Sequence, residues 1–139
     1  MEKFGLIAGN GQFPFLVLRA AQRQGHELVV AAIREEAFPE LQEEAKNIHW
    51  LSIADLSGLI QLFKRENVAR AIMAGKVKHK IISSTIKPDW RLLKLLTRLK
   101  QKNTDALIGG VAQVLSDEGI ELIDSTFFLK DMIPPPGVL

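Results

Sequence analysis

Residues 28–33 read Leu-Val-Val-Ala-Ala-Ile, six apolar positions in a row. A strand with one wet face alternates apolar and polar residues, because successive side chains point to opposite faces. This run has no polar position to offer water, so it suits a strand covered on both faces. That is the pattern of a parallel sheet lying between two layers of helices. Parallel neighbours need long crossovers, and the flanking segments supply them.

Lys3–Ala8 (KFGLIA) reads as a first buried strand, closed by the turn Gly9-Asn10-Gly11. Pro14 suits the first turn of a helix, where its missing N–H costs nothing. That helix runs to about Gln24 and stops at Gly25, a good residue just past a helix end. A short helix fits 39–46 and a weaker strand fits 48–52. Over 55–66, Leu56, Leu59, Ile60 and Phe63 recur with the spacing of one helical face. Ala71–Ala74 is a fourth strand and ends in Gly75. Pro88 opens a helix striped by Leu92, Leu96 and Leu99. Asn103 or Thr104 caps another, which carries Leu107, Val111, Val114 and Leu115 and ends at Gly119. Ile120–Ile123 is a fifth short strand. Strands that alternate with helices in this way predict an α/β fold, three layers deep, with a mainly parallel sheet of about five strands. The length of 139 residues fits one such domain. Pro134-Pro135-Pro136 can continue neither a helix nor a central strand, so 134–139 reads as the start of a stiff linker after a domain at 1–133.

Right-handed crossovers place the C-terminal ends of all the strands along one edge, where ligands of such sheets bind. The loops after Ala8, Ile33 and Ala74 should gather there. In the first, Gly9 and Gly11 allow a tight turn and a close phosphate, and the helix that follows offers free N–H groups to an anion. Gly9, Asn10, Gly11 and Gln12 are therefore candidate phosphate-binding residues. The turn carries two of the three glycines of the dinucleotide fingerprint, with Pro14 at the third place. Arg34 stands where an NAD reader has an acid, and an arginine there suits a phosphate, as in NADP readers. In the third loop, Lys76, Lys78 and Lys80 alternate, which puts them on one side of an extended segment and makes a strong phosphate or diphosphate site. The plain alternative is a set of solvated lysines on a loop.

Charge supports an anionic partner. Residues 76–102 hold nine Lys or Arg and one acid, Asp89, for a local +8, while the rest of the chain sums to −6. Phosphate, nucleic acid or an acidic membrane surface are the partners such a split suggests. With few aromatics and no nucleic-acid motif, nucleic acid is the weakest of these. The absence of Cys excludes a disulfide scaffold, a thiol nucleophile and a Cys-ligated metal. His26, His49 and His79 are scattered. No pair of acids has metal-site spacing and no Ser sits in a nucleophile elbow. Asp55, Asp89 and Asp105 stand at helix starts, and Asp124 at a strand end. No complete catalytic apparatus is visible, and no apolar run approaches the roughly 18–20 residues of a membrane span.

The run Gly5-Leu6-Ile7-Ala8-Gly9-Asn10-Gly11-Gln12-Phe13-Pro14 resembles the opening of the LpxI-type UDP-2,3-diacylglucosamine pyrophosphatases. So do Gly25-His26-Glu27, Ala31-Ala32-Ile33-Arg34, Met73-Ala74-Gly75-Lys76-Val77, Asp105-Ala106-Leu107, Glu118-Gly119-Ile120 and the closing Pro136-Gly137-Val138-Leu139. The resemblance runs in order along the whole chain. It implies a Rossmann-like N-terminal domain of a two-domain enzyme of lipid A biosynthesis, with 134–139 as the interdomain junction. Such enzymes hydrolyse UDP-2,3-diacylglucosamine to lipid X and UMP with a divalent metal, usually Mg²⁺. The catalytic acid belongs to the C-terminal domain, so no catalytic or metal-binding residue carries over to this chain, and no cofactor is expected on it alone. The same resemblance implies a cytoplasmic protein at the inner face of the cytoplasmic membrane, reached through 76–102. A homodimer is a further expectation for a small α/β domain. The remaining alternative is a free-standing nucleotide- or NAD(P)-binding module without hydrolase activity.

Overall fold

In the computed structural model, residues 3–77, 88–101 and 103–132 are described. Strands β1 (Lys3–Ala8), β2 (Glu27–Ile33), β3 (Ile48–Leu51), β4 (Arg70–Ala74) and β5 (Glu121–Ile123) form one sheet in the order β3-β2-β1-β4-β5. Every strand pair is parallel. The helices are α1 (Phe13–Arg23), α2 (Leu41–Glu44), α3 (Leu56–Arg65), α4 (Trp90–Arg98) and α5 (Thr104–Asp117), and a 3-10 helix at Phe127–Met132 closes the described chain. The α/β expectation and its five strands hold, in a Rossmann-like arrangement.

The period of two sorts the strand residues between two cores. Phe4, Leu6, Ala8, Val30 and Ile72 pack with Phe15, Leu18 and Phe128 on the α1 side. Ile7, Val29, Ala31 and Ala71 pack with Leu59, Phe63, Leu92, Leu96 and Leu115 on the α3–α5 side. β1 and β2 are buried on both faces, which is why their sequences do not alternate. Gly5 belongs to this packing. A Cβ there would lie 2.7 Å from the ring of Phe63, so the missing side chain is the socket for a fully buried phenylalanine.

Helix ends follow their sequence signals. Gly25 and Gly119 take positive φ values of 80° and 85° after α1 and α5. Asp55 caps α3 by accepting from the Gly58 N–H at 2.9 Å, and Asn103 caps α5 by accepting from Ala106 N–H at 2.8 Å. Helix α4 departs from expectation in two ways. Asp89, not Pro88, is its cap, and it ends at Arg98 because Leu99 is extended with ψ 129°. Its buried stripe is Leu92, Leu95 and Leu96. Residues 134–139 lie outside the described residues.

Candidate functional site

The strand order reverses direction between β1 and β4, so the crevice beyond their C-terminal ends is the topological switch point of the sheet. The loops after β1 and β4 meet there and are joined backbone to backbone. Gly9 N–H donates to Ala74 O at 2.8 Å, Asn10 N–H to Lys76 O at 2.8 Å, and Lys76 N–H to Asn10 O at 2.9 Å. The last two form an antiparallel bridge. The third loop is tied in by Asn10, whose Nδ2 donates to the Glu36 carbonyl at 2.9 Å just past β2. One asparagine thus holds the three loops that the topology assembles.

The glycines divide by role. A Cβ on Gly9 would lie 2.7 Å from Lys76 O, and one on Gly75 would lie 2.7 Å from the Gly9 carbonyl carbon. Gly75 also has φ 97°. These two glycines let the two loop backbones touch each other. Gly11 differs, with φ 107° and only open space where a Cβ would stand. The Gly9 and Asn10 N–H groups are already spent on the bridge. The amides of Gly11, Gln12 and Phe13 have no backbone acceptor among the described residues. Gln12 is the cap position of α1 and its side chain makes no capping hydrogen bond. Donors for an anion therefore begin at Gly11, not at Gly9, and Asn10 organises the turn. Lys76 is exposed beside it. Lys78 and Lys80 lie outside the described residues.

Arg34 is exposed at the end of β2. The neighbouring acid, Glu35, has a structural task. The Glu35 carboxylate accepts from Ser52 Oγ at 2.8 Å and from Ile53 N–H at 2.7 Å, fastening the β2 loop to the β3 loop. Burial pushes this carboxyl up, but the Ile53 N–H and the Ser52 hydroxyl outweigh it and hold the group below the usual glutamate range. Both bonds turn the carboxylate toward the β3 loop.

Asp89 does more than cap its own helix. Its carboxylate accepts from Leu92 N–H at 3.2 Å, and from Leu56 and Ser57 N–H at 3.2 and 2.8 Å. One side chain caps α4 and reaches across to the first turn of α3. Burial raises its pKa, yet the bonds from Ser57, Leu92 and Leu56 prevail and hold it below the usual aspartate range. Asp105 is exposed in the first turn of α5, where a negative charge faces the positive end of the helix. Asp124 accepts from the N–H and the hydroxyl of Thr126, both at 2.8 Å, and so shapes the turn after β5. His26 packs against Phe4 and Phe128, and His49 bonds Asn47 at 2.7 Å. Among the described residues, no three His, Asp or Glu gather to hold a metal ion.

Sequence reading did not anticipate an apolar cavity of about 90 Å³ at the same sheet edge. It opens on the α3–α5 side, between the ends of β1, β2 and β4 and the first half of α5. Ile7, Ile33, Met73 and Val77 line its floor, and Leu107 and Val111 its roof. The available signal was α5 itself, whose apolar residues exceed what one buried face needs.

A parallel five-stranded sheet in this order, with a glycine turn opening α1 at the switch point, is a Rossmann-like domain. Known structures agree on the fold. The Bordetella bronchiseptica enzyme WbmG, solved in complex with NAD and UDP, superposes with a TM-score of 0.52 at 19% identity, over 85% of this chain and 35% of that one. The biotin carboxylase domain of a thermophilic 2-oxoglutarate carboxylase gives 0.50 at 14% identity, over 88% and 22%. Sequence gives the family. Residues 3–132 match the family model described as the LpxI N-terminal domain, and the chain belongs to that family. It is 28% identical over 142 aligned residues to the UDP-2,3-diacylglucosamine pyrophosphatase LpxI of Caulobacter vibrioides, covering all of this chain and 50% of that protein. The chain thus spans half the length of this curated relative.

Proposed function

We propose that this domain binds the substrate for a metal-dependent hydrolase that splits UDP-2,3-diacylglucosamine into lipid X and UMP in lipid A biosynthesis. The observation that carries the reading is the Asn10–Lys76 bridge. It holds a lysine beside the amides of Gly11 and Gln12, which have no backbone acceptor among the described residues, at the switch point of a domain of the LpxI family. A diphosphate diester brings two negative charges, and attack by water builds more as the bond to the leaving phosphate stretches. Amides and an ammonium fixed in advance stabilise that charge without reorganising. Arg34, exposed at the end of β2, adds positive charge at the same sheet edge, and Lys78 and Lys80 follow Lys76 in the sequence as further candidates for that charge.

A divalent metal, Mg²⁺ in this reading, would polarise the phosphoryl oxygen and supply a more acidic water. The described residues hold no set of ligands for it. Its site and the carboxylate that works with it are assigned to the second half of the enzyme. What this domain does is bind and orient the diphosphate. In this reading the enzyme is cytoplasmic and meets its lipid at the inner membrane, with the positive charge of the stretch 76–102 as the attraction to anionic headgroups. Trp90 and Leu93, 64% and 53% exposed on α4, are the apolar contacts of that surface. Among the described residues no helix is long and apolar enough to cross a membrane.

The test is Mg²⁺-dependent release of UMP from UDP-2,3-diacylglucosamine, measured for this chain and for a form extended by its second half. Activity only in the extended form, with weak UMP binding by this chain that Lys76→Ala diminishes, is the expected result. Turnover by this chain alone would overturn the assignment of catalysis elsewhere, and would make Asp105 and Asp124 the first residues to substitute.

A further inference from the structure

We infer that the cavity beneath α5 is the seat of one acyl chain of the lipid whose diphosphate rests on the Gly11–Lys76 turn. The inference rests on the substrate proposed above and gives its hydrocarbon a place.

Three observations carry it. The first is position. Val77 lines the cavity and directly follows Lys76, so the apolar space begins one residue from the bridge that builds the phosphate site. An amphiphile with an anionic head at Gly11 and Lys76 has an apolar space to enter at that distance. The second is chemistry. Among the described residues, the polar side chains around the cavity are those of Ser52, Asp55 and Thr104. Ser52 Oγ donates to Glu35 and accepts from Ala54 N–H, while the Asp55 carboxylate caps Gly58. A nucleobase or a sugar would find its polar edges largely unmatched there, at a desolvation cost. A hydrocarbon chain leaves nothing unmatched. The third is the roof. Of the side chains of α5 only Leu115 is buried, and Leu107, Ile108 and Val111 are half-buried around the cavity. Gly110 allows α5 to approach Leu95 of α4, and Gly109 faces open space. Two mid-helix glycines lower the intrinsic stability of the roof by about 1 kcal/mol each relative to alanine. A segment that must move to admit a ligand is drawn from such low-stability elements.

The experiment uses this 139-residue chain and two kinds of probe. Octyl, decyl and dodecyl phosphate, each below its micellar concentration, compete with the fluorescent fatty acid cis-parinaric acid. UMP binding is followed separately by calorimetry. Affinity is expected to rise about four-fold per methylene as chain length grows. Ile108→Trp, at a half-exposed position, is expected to weaken dodecyl phosphate by roughly ten-fold and to flatten that dependence, with UMP binding unchanged. Lys76→Ala should weaken UMP and all three alkyl phosphates together and leave the slope per methylene intact. Absence of a chain-length dependence in the unmodified chain overturns the inference. So does a slope unaltered by Ile108→Trp and by a second filling variant, Val111→Phe, since either folded variant suffices for the comparison. Absence of UMP binding by the unmodified chain, with the alkyl slope present, overturns the nucleotide reading instead and leaves the cavity in place.

Discussion

The two faces of this sheet are built differently. On the α1 side, aromatic rings interlock. Phe128 stands edge-on to Phe4 at 5.0 Å and to Phe127 at 5.1 Å, and the Arg70 guanidinium covers Phe4 at 4.7 Å. On the α3–α5 side the contacts are mostly aliphatic, and α5 leaves a cavity of about 90 Å³ over the C-terminal ends of the strands. Both faces use the same strands, so the contrast lies in what covers them. A face that only supports the fold can close completely. The other face keeps space at the sheet edge where the three loops meet, and its lining forgoes the contacts a filled cavity would give.

The sharpest way to break this comparison is to hollow each face in turn. Phe128→Ala should cost about 3–5 kcal/mol in urea unfolding, because a fully buried ring leaves a cavity the rigid sheet cannot fill. Val111→Ala on the half-buried roof should cost about 1 kcal/mol or less. Equal losses would mean that the cavity side is as tightly packed as the other.

Next in size is Gly75→Ala. The new methyl would meet the Gly9 backbone at 2.7 Å in a region of φ that alanine avoids. A destabilisation of about 2–3 kcal/mol is expected. Amide exchange at Asn10 and Lys76 should accelerate beyond what global unfolding explains, because the bridge itself is pried open. Gly11→Ala has the strained φ without the clash and should leave those two amides protected.

These contacts mark where the sequence stopped being readable. Apolar runs placed every strand, Gly25 and Gly119 marked their helix ends, and Asp55 and Asn103 marked their caps, since each depends on neighbours a few residues away. The meeting of the loops after β1, β2 and β4 followed from topology alone. The reason for Gly9 did not, because the atom it avoids belongs to Lys76 and no local period reports it. Nothing local in the sequence marks Glu35 as a clamp on the β3 loop, because its partners Ser52 and Ile53 lie 17 and 18 residues away. The cavity was hidden for the same reason, being the space between four strands and three helices that only the fold brings together.

Asp89 tests whether the cavity face is held open from its helix ends. Asp89→Ala removes the cap of α4 and the bonds to the first turn of α3, and should cost about 2 kcal/mol. Asp89→Asn, which keeps one acceptor oxygen, should cost less. Alkyl-phosphate binding should weaken with Asp89→Ala, since Leu56 and Leu92, both lining the cavity, lie in the first turns of the two helices that lose their anchor.

The smallest expected effect concerns Glu35, and acid titration isolates it. Its carboxyl is held below the usual range in the folded chain, so folding favours the ionised form. The stability this contributes is fully present above the ordinary glutamate value of 4.5 and is lost as the pH falls through the lower folded value. Asp89 adds the same sign over a window starting at 3.8. Glu35→Gln keeps an acceptor for the Ile53 N–H but gives up the charge, and should cost about 1 kcal/mol or less at neutral pH. The difference in unfolding free energy between the two proteins should shrink as the pH drops below 4.5 and vanish once Glu35 is protonated in both folded and unfolded chains. A difference that stayed constant with pH would show that the glutamine disturbs the loop by shape alone. A difference that shrank as described would identify the carboxylate charge as what ties the β2 loop to the rim of the cavity, through Ser52 and Ile53.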